Sequence, residues 1–105
     1  MSTRDEPKQI CSKTELKILG DFWTLQIIQS LTDGQKRFSE LERMLPEINP
    51  TTLTARLKKL MTQKLVLRSE ETVDKISVAY SLTEKGKGIL PVLGEIRRFA
   101  EKYLR

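Results

Sequence analysis

Between Asn49 and Lys64 the chain reads N-P-T-T-L-T-A-R-L-K-K-L-M-T-Q-K, with four positive charges and none of the fourteen acidic residues in the chain. Asn49 is a good helix N-cap, and Pro50 suits the first helical position, where its missing donor costs nothing. On a helical wheel with Leu53 at zero, Leu57 and Leu60 fall within about forty degrees and Met61 lies about eighty degrees away. That side faces a core. Thr51, Ala55, Lys58 and Thr62 lie opposite, with Thr52 and Lys59 beside them and Thr54 in the same run. Arg56 sits nearer the edge, where its stem could cover the core while its head reaches a phosphate. Helix N-termini and basic side chains grip phosphates, and threonines near a helix start can touch base edges or thymine methyls. The chemistry available to this helix is therefore recognition of a nucleic-acid duplex, with most of the affinity coming from charge and falling with salt. The plain alternative is a surface helix that is basic by chance.

The elements around that run decide between the two. Apolar residues at three- and four-residue spacing predict a short helix near 14–19 and a longer one near 22–31, divided at Gly20 and closed by Asp33-Gly34. Phe38, Leu41, Met44 and Leu45 predict a helix over 38–45, with Ser39 a possible cap and Pro46 its stop. A four-residue turn then leads to the basic helix at 50–62, so the two form a helix-turn-helix. Leu65–Arg68 and the alternating Val78, Tyr80 and Leu82 read as two strands, with the polar run 69–76 as a projecting hairpin loop, a wing. Thr83 can cap a further helix, which Pro91 kinks or restarts. The order is that of a winged helix: mainly α with a small β-hairpin. Residues 1–12 read as a flexible arm, and 13–105 as one domain with a recognition helix at 50–62, a wing at 65–82 and a C-terminal helix at 84–104.

Lys36 and Arg37 stand just before the first helix of the pair, where a phosphate contact is natural. The wing offers Arg68 and Lys75 but also Glu70, Glu71 and Asp74, so Lys75 is expected on a phosphate rather than on a base. The candidate duplex-binding residues are thus Lys36, Arg37, Asn49, Thr51, Thr52, Thr54, Ala55, Arg56, Lys58, Lys59, Thr62 and Lys75.

Composition removes competing classes. A chain of 105 residues supports one small domain with a modest core. Its net charge of +5 is compatible with a nucleic-acid partner and equally with a solvated basic surface. Histidine is absent and Cys11 is the single cysteine, so neither an internal disulfide nor a metal set with convincing spacing is expected. There is no glycine-rich phosphate loop and no nucleophile motif, so no enzyme and no cofactor is expected. No apolar run approaches the roughly eighteen residues of a membrane helix, and the polar N-terminus lacks the apolar stretch of a secretory signal. A cytoplasmic protein with no membrane partner is the expectation.

The apolar stripe Ile89, Leu90, Leu93, Ile96, Phe99, Ala100, Tyr103 and Leu104 is long for a chain whose core is already supplied by three helices and a hairpin. Leu16 and Leu19 offer further apolar cover near the N-terminus. Two copies sharing Leu16, Leu19, Leu93, Ile96, Phe99, Ala100, Tyr103 and Leu104 would form a homodimer suited to a palindromic duplex. The alternative is a terminal helix folded back on its own domain.

L-G-D-F-W-T-L-Q-I-I at 19–28, D-G-Q-K-R-F-S-E-L at 33–41, I-N-P-T-T-L-T-A-R-L-K-K-L at 48–60 and Y-S-L-T-E-K-G at 80–86 together resemble the HxlR-type transcriptional regulators, from about Cys11 to Leu104. The resemblance implies a winged helix-turn-helix that binds double-stranded DNA as a dimer made by the terminal helices. Members act as repressors or activators, and several respond to electrophiles or oxidants through a cysteine near the N-terminus. Cys11 stands near that position, although Ser12 follows it where the family usually has proline, and its distance to Trp23 is slightly short. Lys8, Lys13 and a nearby helix start are the groups that would favour a reactive thiolate, and a lone cysteine could cross-link two chains; the plain alternative is an ordinary small residue. Lys64 stands where the family commonly has glycine, so a left-handed turn there would be strained. The competing functional reading is a winged module used for protein contacts without specific DNA binding. A MarR-like reading is disfavoured by the short chain, and an ArsR-like one lacks the cysteine–histidine metal set.

Overall fold

A computed structural model describes residues 10–72 and 76–105. Helix α1 spans Lys13–Leu19 and is closed at its start by a capping box, in which the Glu15 N–H donates to Ser12 Oγ and the Ser12 N–H to the Glu15 carboxylate. Gly20 ends it. A Cβ there would collide with the Leu16 carbonyl oxygen, so the position requires glycine. Helix α2 (Phe22–Ser30) starts at once, with Asp21 accepting the Thr24 N–H as N-cap. Gly34, at a φ of 140°, turns the chain after it.

Strand β1 (Lys36–Arg37) follows, then α3 (Phe38–Met44) and, after the turn at Pro46, α4 (Pro50–Thr62). The start of α4 at Pro50 and its end at Thr62 match the sequence expectation. The N-cap of α3 is Arg37 rather than Ser39, which lies inside the first turn. Strands β2 (Val66–Thr72) and β3 (Ile76–Leu82) form an antiparallel hairpin, with Val66 opposite Leu82 and Arg68 opposite Tyr80.

Two features differ from the sequence expectation here. The sheet has three strands in the order β1-β3-β2, since Lys36 and Arg37 pair with Tyr80 and Ala79. A two-residue strand is too short to show alternation. The ladder also continues to Thr72 and resumes at Ile76, so most of the expected projecting loop is strand; the tip at 73–75 lies outside the described residues. The backbone's demand for hydrogen-bond partners outweighs the polar side chains of this stretch.

The C-terminal segment also divides. Thr83 caps α5 (Glu84–Lys87) through the Gly86 N–H, and α6 (Leu90–Tyr103) starts anew with Pro91 in its first turn, so of the kink or restart expected at Pro91 within 84–104 the chain shows the restart. The core gathers Ile27, Ile28, Leu31, Leu41, Leu53, Leu57 and Leu60, all essentially excluded from solvent. Leu65, Tyr80, Leu90 and Leu93 pack at its margin. Of the expected flexible arm, positions 1–9 lie outside the described residues, and Ser12 belongs to the α1 cap.

Candidate nucleic-acid interface

Helix α4 is fixed on its inner side by Leu53, Leu57 and Leu60, so its rotation about its own axis is set by the core. Thr51, Thr54, Ala55, Lys58, Lys59 and Thr62 consequently face solvent, and Thr52 is half-buried. Pro50, Thr51, Thr54, Ala55 and Lys58 line one shallow depression of about 440 Å³ along this face. The small Ala55 side chain leaves the middle of the face low. Asn49 Oδ1 accepts the N–H groups of Thr51 and Thr52 at 2.8 and 3.2 Å, so the side chain of this candidate is engaged in capping α4. The Thr62 hydroxyl donates to the Lys58 carbonyl. Among the described residues neither Lys58 nor Lys59 has a carboxylate partner.

The structure directs two cations elsewhere than the sequence reading does. Arg56 is held by Asp21 in a two-point ion pair at 2.8 and 3.2 Å, with both side chains 28 % exposed. It buttresses the helix from behind and does not reach outward. The arginine hydrogen bonds, helped by the Thr24 N–H and hydroxyl and opposed by burial, lower the Asp21 pKa to about 2, and the same contact raises that of Arg56. Lys36 stands in β1 opposite Tyr80 with its ammonium 2.8 Å from Asp33 Oδ1, which lowers the Asp33 pKa. Arg37 is exposed, and its backbone N–H donates to Glu40. Arg68 pairs with Glu70 on the wing, and Lys75 lies outside the described residues.

The terminal helices leave apolar surface uncovered. Leu16, Leu19, Val92, Ile96, Phe99, Tyr103 and Leu104 are exposed, while Leu93 and Ala100 are half-buried. The Phe99 and Tyr103 rings pack against each other along α6, 4.9 Å between centroids. Ile18, Leu19, Leu65, Ile89 and Val92 line an apolar groove of about 490 Å³ between α1 and the α5–α6 junction. Cys11 is exposed just before the α1 cap. Among the described residues there is no cluster of metal-ligating side chains and no helix long and apolar enough to cross a membrane.

A helix-turn-helix followed by a hairpin, with an acid-free outer helix, defines a winged-helix DNA-binding transcriptional regulator. The chain belongs to the HxlR-like helix-turn-helix family, whose pattern matches residues 18–105. It is 36% identical over 98 residues to the helix-turn-helix-type transcriptional regulator YvaP of Bacillus subtilis, covering 91% of both chains. It is 35% identical over 96 residues to the regulator YodB of the same organism, covering 90% of this chain and 86% of that protein. The reduced form of YodB superimposes with a TM-score of 0.82 over 90% of this chain and 95% of that one, at 34% identity. Its quinone-bound form gives 0.74 over 87% and 96%, also at 34% identity.

Sequence reasoning missed Asp21 as the partner of Arg56, and Ser39, Arg43 and Ser77 as neighbours of Arg37. Asp21 and Ser77 are brought to these sets by tertiary packing, and no local spacing signals them.

Proposed function

We propose that this regulator acts as a homodimer on a palindromic operator, with α4 of each copy in the major groove. The orientation of α4 carries this reading: three fully buried leucines leave only the face with Thr51, Thr54, Ala55, Lys58, Lys59 and Thr62 for a partner. The threonines and Ala55 meet base edges and thymine methyls, and the lysines meet phosphates. Asn49 and Thr52 set the N-terminal turn against the backbone, and Arg37 adds a flanking phosphate contact, with Lys75 contributing from the wing. Two copies joined through α1 and α6 would place their reading helices on half-sites about 34 Å apart. The test is Lys58→Glu with Lys59→Glu: duplex binding is lost while helix content and oligomeric state stay as in the wild type. Unchanged binding would remove α4 from the interface.

Exposed Cys11 favours a second element of this reading, a thiol-dependent response. YodB has been seen both reduced and quinone-bound, and Cys11 is the one thiol of this chain. Diamide or a quinone should weaken operator binding by the wild type and leave Cys11→Ser unaffected. Equal responses from the two proteins would exclude Cys11.

A further inference from the structure

A polar cleft of about 380 Å³ lies between α3 and one face of the β1–β3 ladder. Its walls are Arg37 of β1, Ser39, Glu40 and Arg43 of α3, and Ser77 of β3, over a floor at the small, buried Ala79. Cross-strand register places Arg37 directly opposite Ala79, so Arg37 and Ser77 share one face of the sheet. The one carboxylate, Glu40, is turned toward the Arg37 backbone, whose N–H it accepts at 2.8 Å. The guanidinium groups of Arg37 and Arg43 have no ion-pair partner among the described residues, whereas Arg56, Arg68, Arg97, Arg98 and Arg105 elsewhere in the chain each have one.

We propose that this cleft is a phosphate site, and that the phosphate it takes is a phosphodiester of the duplex flanking the bases met by α4. Two guanidinium forks and two hydroxyls present several donors to one small volume, the recognition chemistry of a phosphate group. The net charge of the lining is positive, counting two arginines against Glu40. The cleft also joins the helix-turn-helix to the tip end of the wing, since Arg43 lies one residue before the end of α3 and Ser77 one residue into β3, opposite Glu71. A backbone phosphate held there fixes both elements on the duplex at once. This assignment rests on the reading of α4 as the duplex-facing helix.

The experiment compares wild type with Arg43→Gln, an exposed position that spares the fold. Duplex affinity is measured against salt, and amide shifts are followed as inorganic phosphate is added without DNA. Arg43→Gln should weaken operator and unrelated duplexes alike, by several-fold, and make the salt slope shallower by about 0.9 per copy. Phosphate should shift Ser39, Arg43 and Ser77 in the wild type and not in the variant. An unchanged slope together with unchanged phosphate shifts would overturn the site. Phosphate shifts with an unchanged slope would overturn DNA as the source and assign the cleft to a free phosphorylated molecule. Failure of the wild type to bind any duplex would instead overturn the reading of α4, while the phosphate titration still decides whether the cleft holds an anion.

Discussion

Arg56 of α4 and Asp21 at the start of α2 are joined by two hydrogen bonds, Nε to Oδ2 at 2.8 Å and a terminal nitrogen to Oδ1 at 3.2 Å. Asp21 Oδ2 also accepts the Thr24 N–H and hydroxyl, both at 2.9 Å. One carboxylate thus caps α2 and anchors the back of α4, across 35 residues of sequence. Arg56→Met keeps the apolar stem and removes the fork, and should lower stability by about 1.5–3 kcal/mol, the range for hydrogen bonds to a charged group. Urea denaturation at fixed protein concentration measures it. In a double-mutant cycle with Asp21→Asn, additive effects would mean that the two residues do not act as a pair.

The same pair sets a pH dependence. The Asp21 pKa is lowered from 3.8 to about 2, first by Arg56. A depressed folded-state pKa gives stability that is complete above the unfolded value and lost as pH falls through the folded one. The contribution of Asp21 should therefore be constant from pH 7 to about 5 and fade between about 4 and 2. Arg56→Met removes the largest cause, so the difference in stability between wild type and variant should shrink across that same window. A constant difference from pH 5 to pH 2 would show that the carboxylate is not held ionised by the arginine.

How much of this was legible from the sequence depended on the range of the interaction. Asn49, Pro50 and the leucines at 53, 57 and 60 act within one helix, and both the bounds of α4 and its buried face follow from them. Gly20 and Pro46 likewise mark chain breaks through local backbone sterics. The charge on the exposed face was readable for the same reason. The fate of Arg56 was not, because a wheel places its Cα but does not show that Asp21 stands within reach of its head. The setting of Lys36 was hidden by the same limit: it stands in a strand opposite Tyr80, and its ammonium meets Asp33.

Lys64 carries a φ of 65° in the turn between α4 and β2. The left-handed region disfavours a side chain by about 1–2 kcal/mol, offset in part by the extra unfolded-state freedom of glycine. Its carbonyl accepts the Thr83 hydroxyl at 2.7 Å, so the turn is tied to the start of α5 and cannot simply relax. Lys64→Gly should raise stability by about 0.5–1 kcal/mol, and Lys64→Ala should give no such gain because it keeps the Cβ. Equal denaturation midpoints for the glycine and alanine variants would show that the turn is unstrained.

Helix α6 predicts the oligomeric state. Leu90 and Leu93 pack against the core, but Ile96, Phe99, Tyr103 and Leu104 are each more than half exposed. Large apolar side chains on one stripe, with Leu16 and Leu19 also uncovered on α1, offer the surface through which the proposed dimer would form. Each such side chain contributes about 1.5–3 kcal/mol when fully buried, so several from each copy suffice for a stable dimer. The wild type should sediment as a dimer at micromolar concentration. Phe99→Glu with Tyr103→Glu places two charges on that stripe and should give a monomer with wild-type helix content. The monomer should bind a single half-site with little change and a palindromic duplex far more weakly than the wild type, because only the dimer engages both halves together. A wild-type monomer, or a dimer that persists in the double variant, would move the subunit interface away from α6.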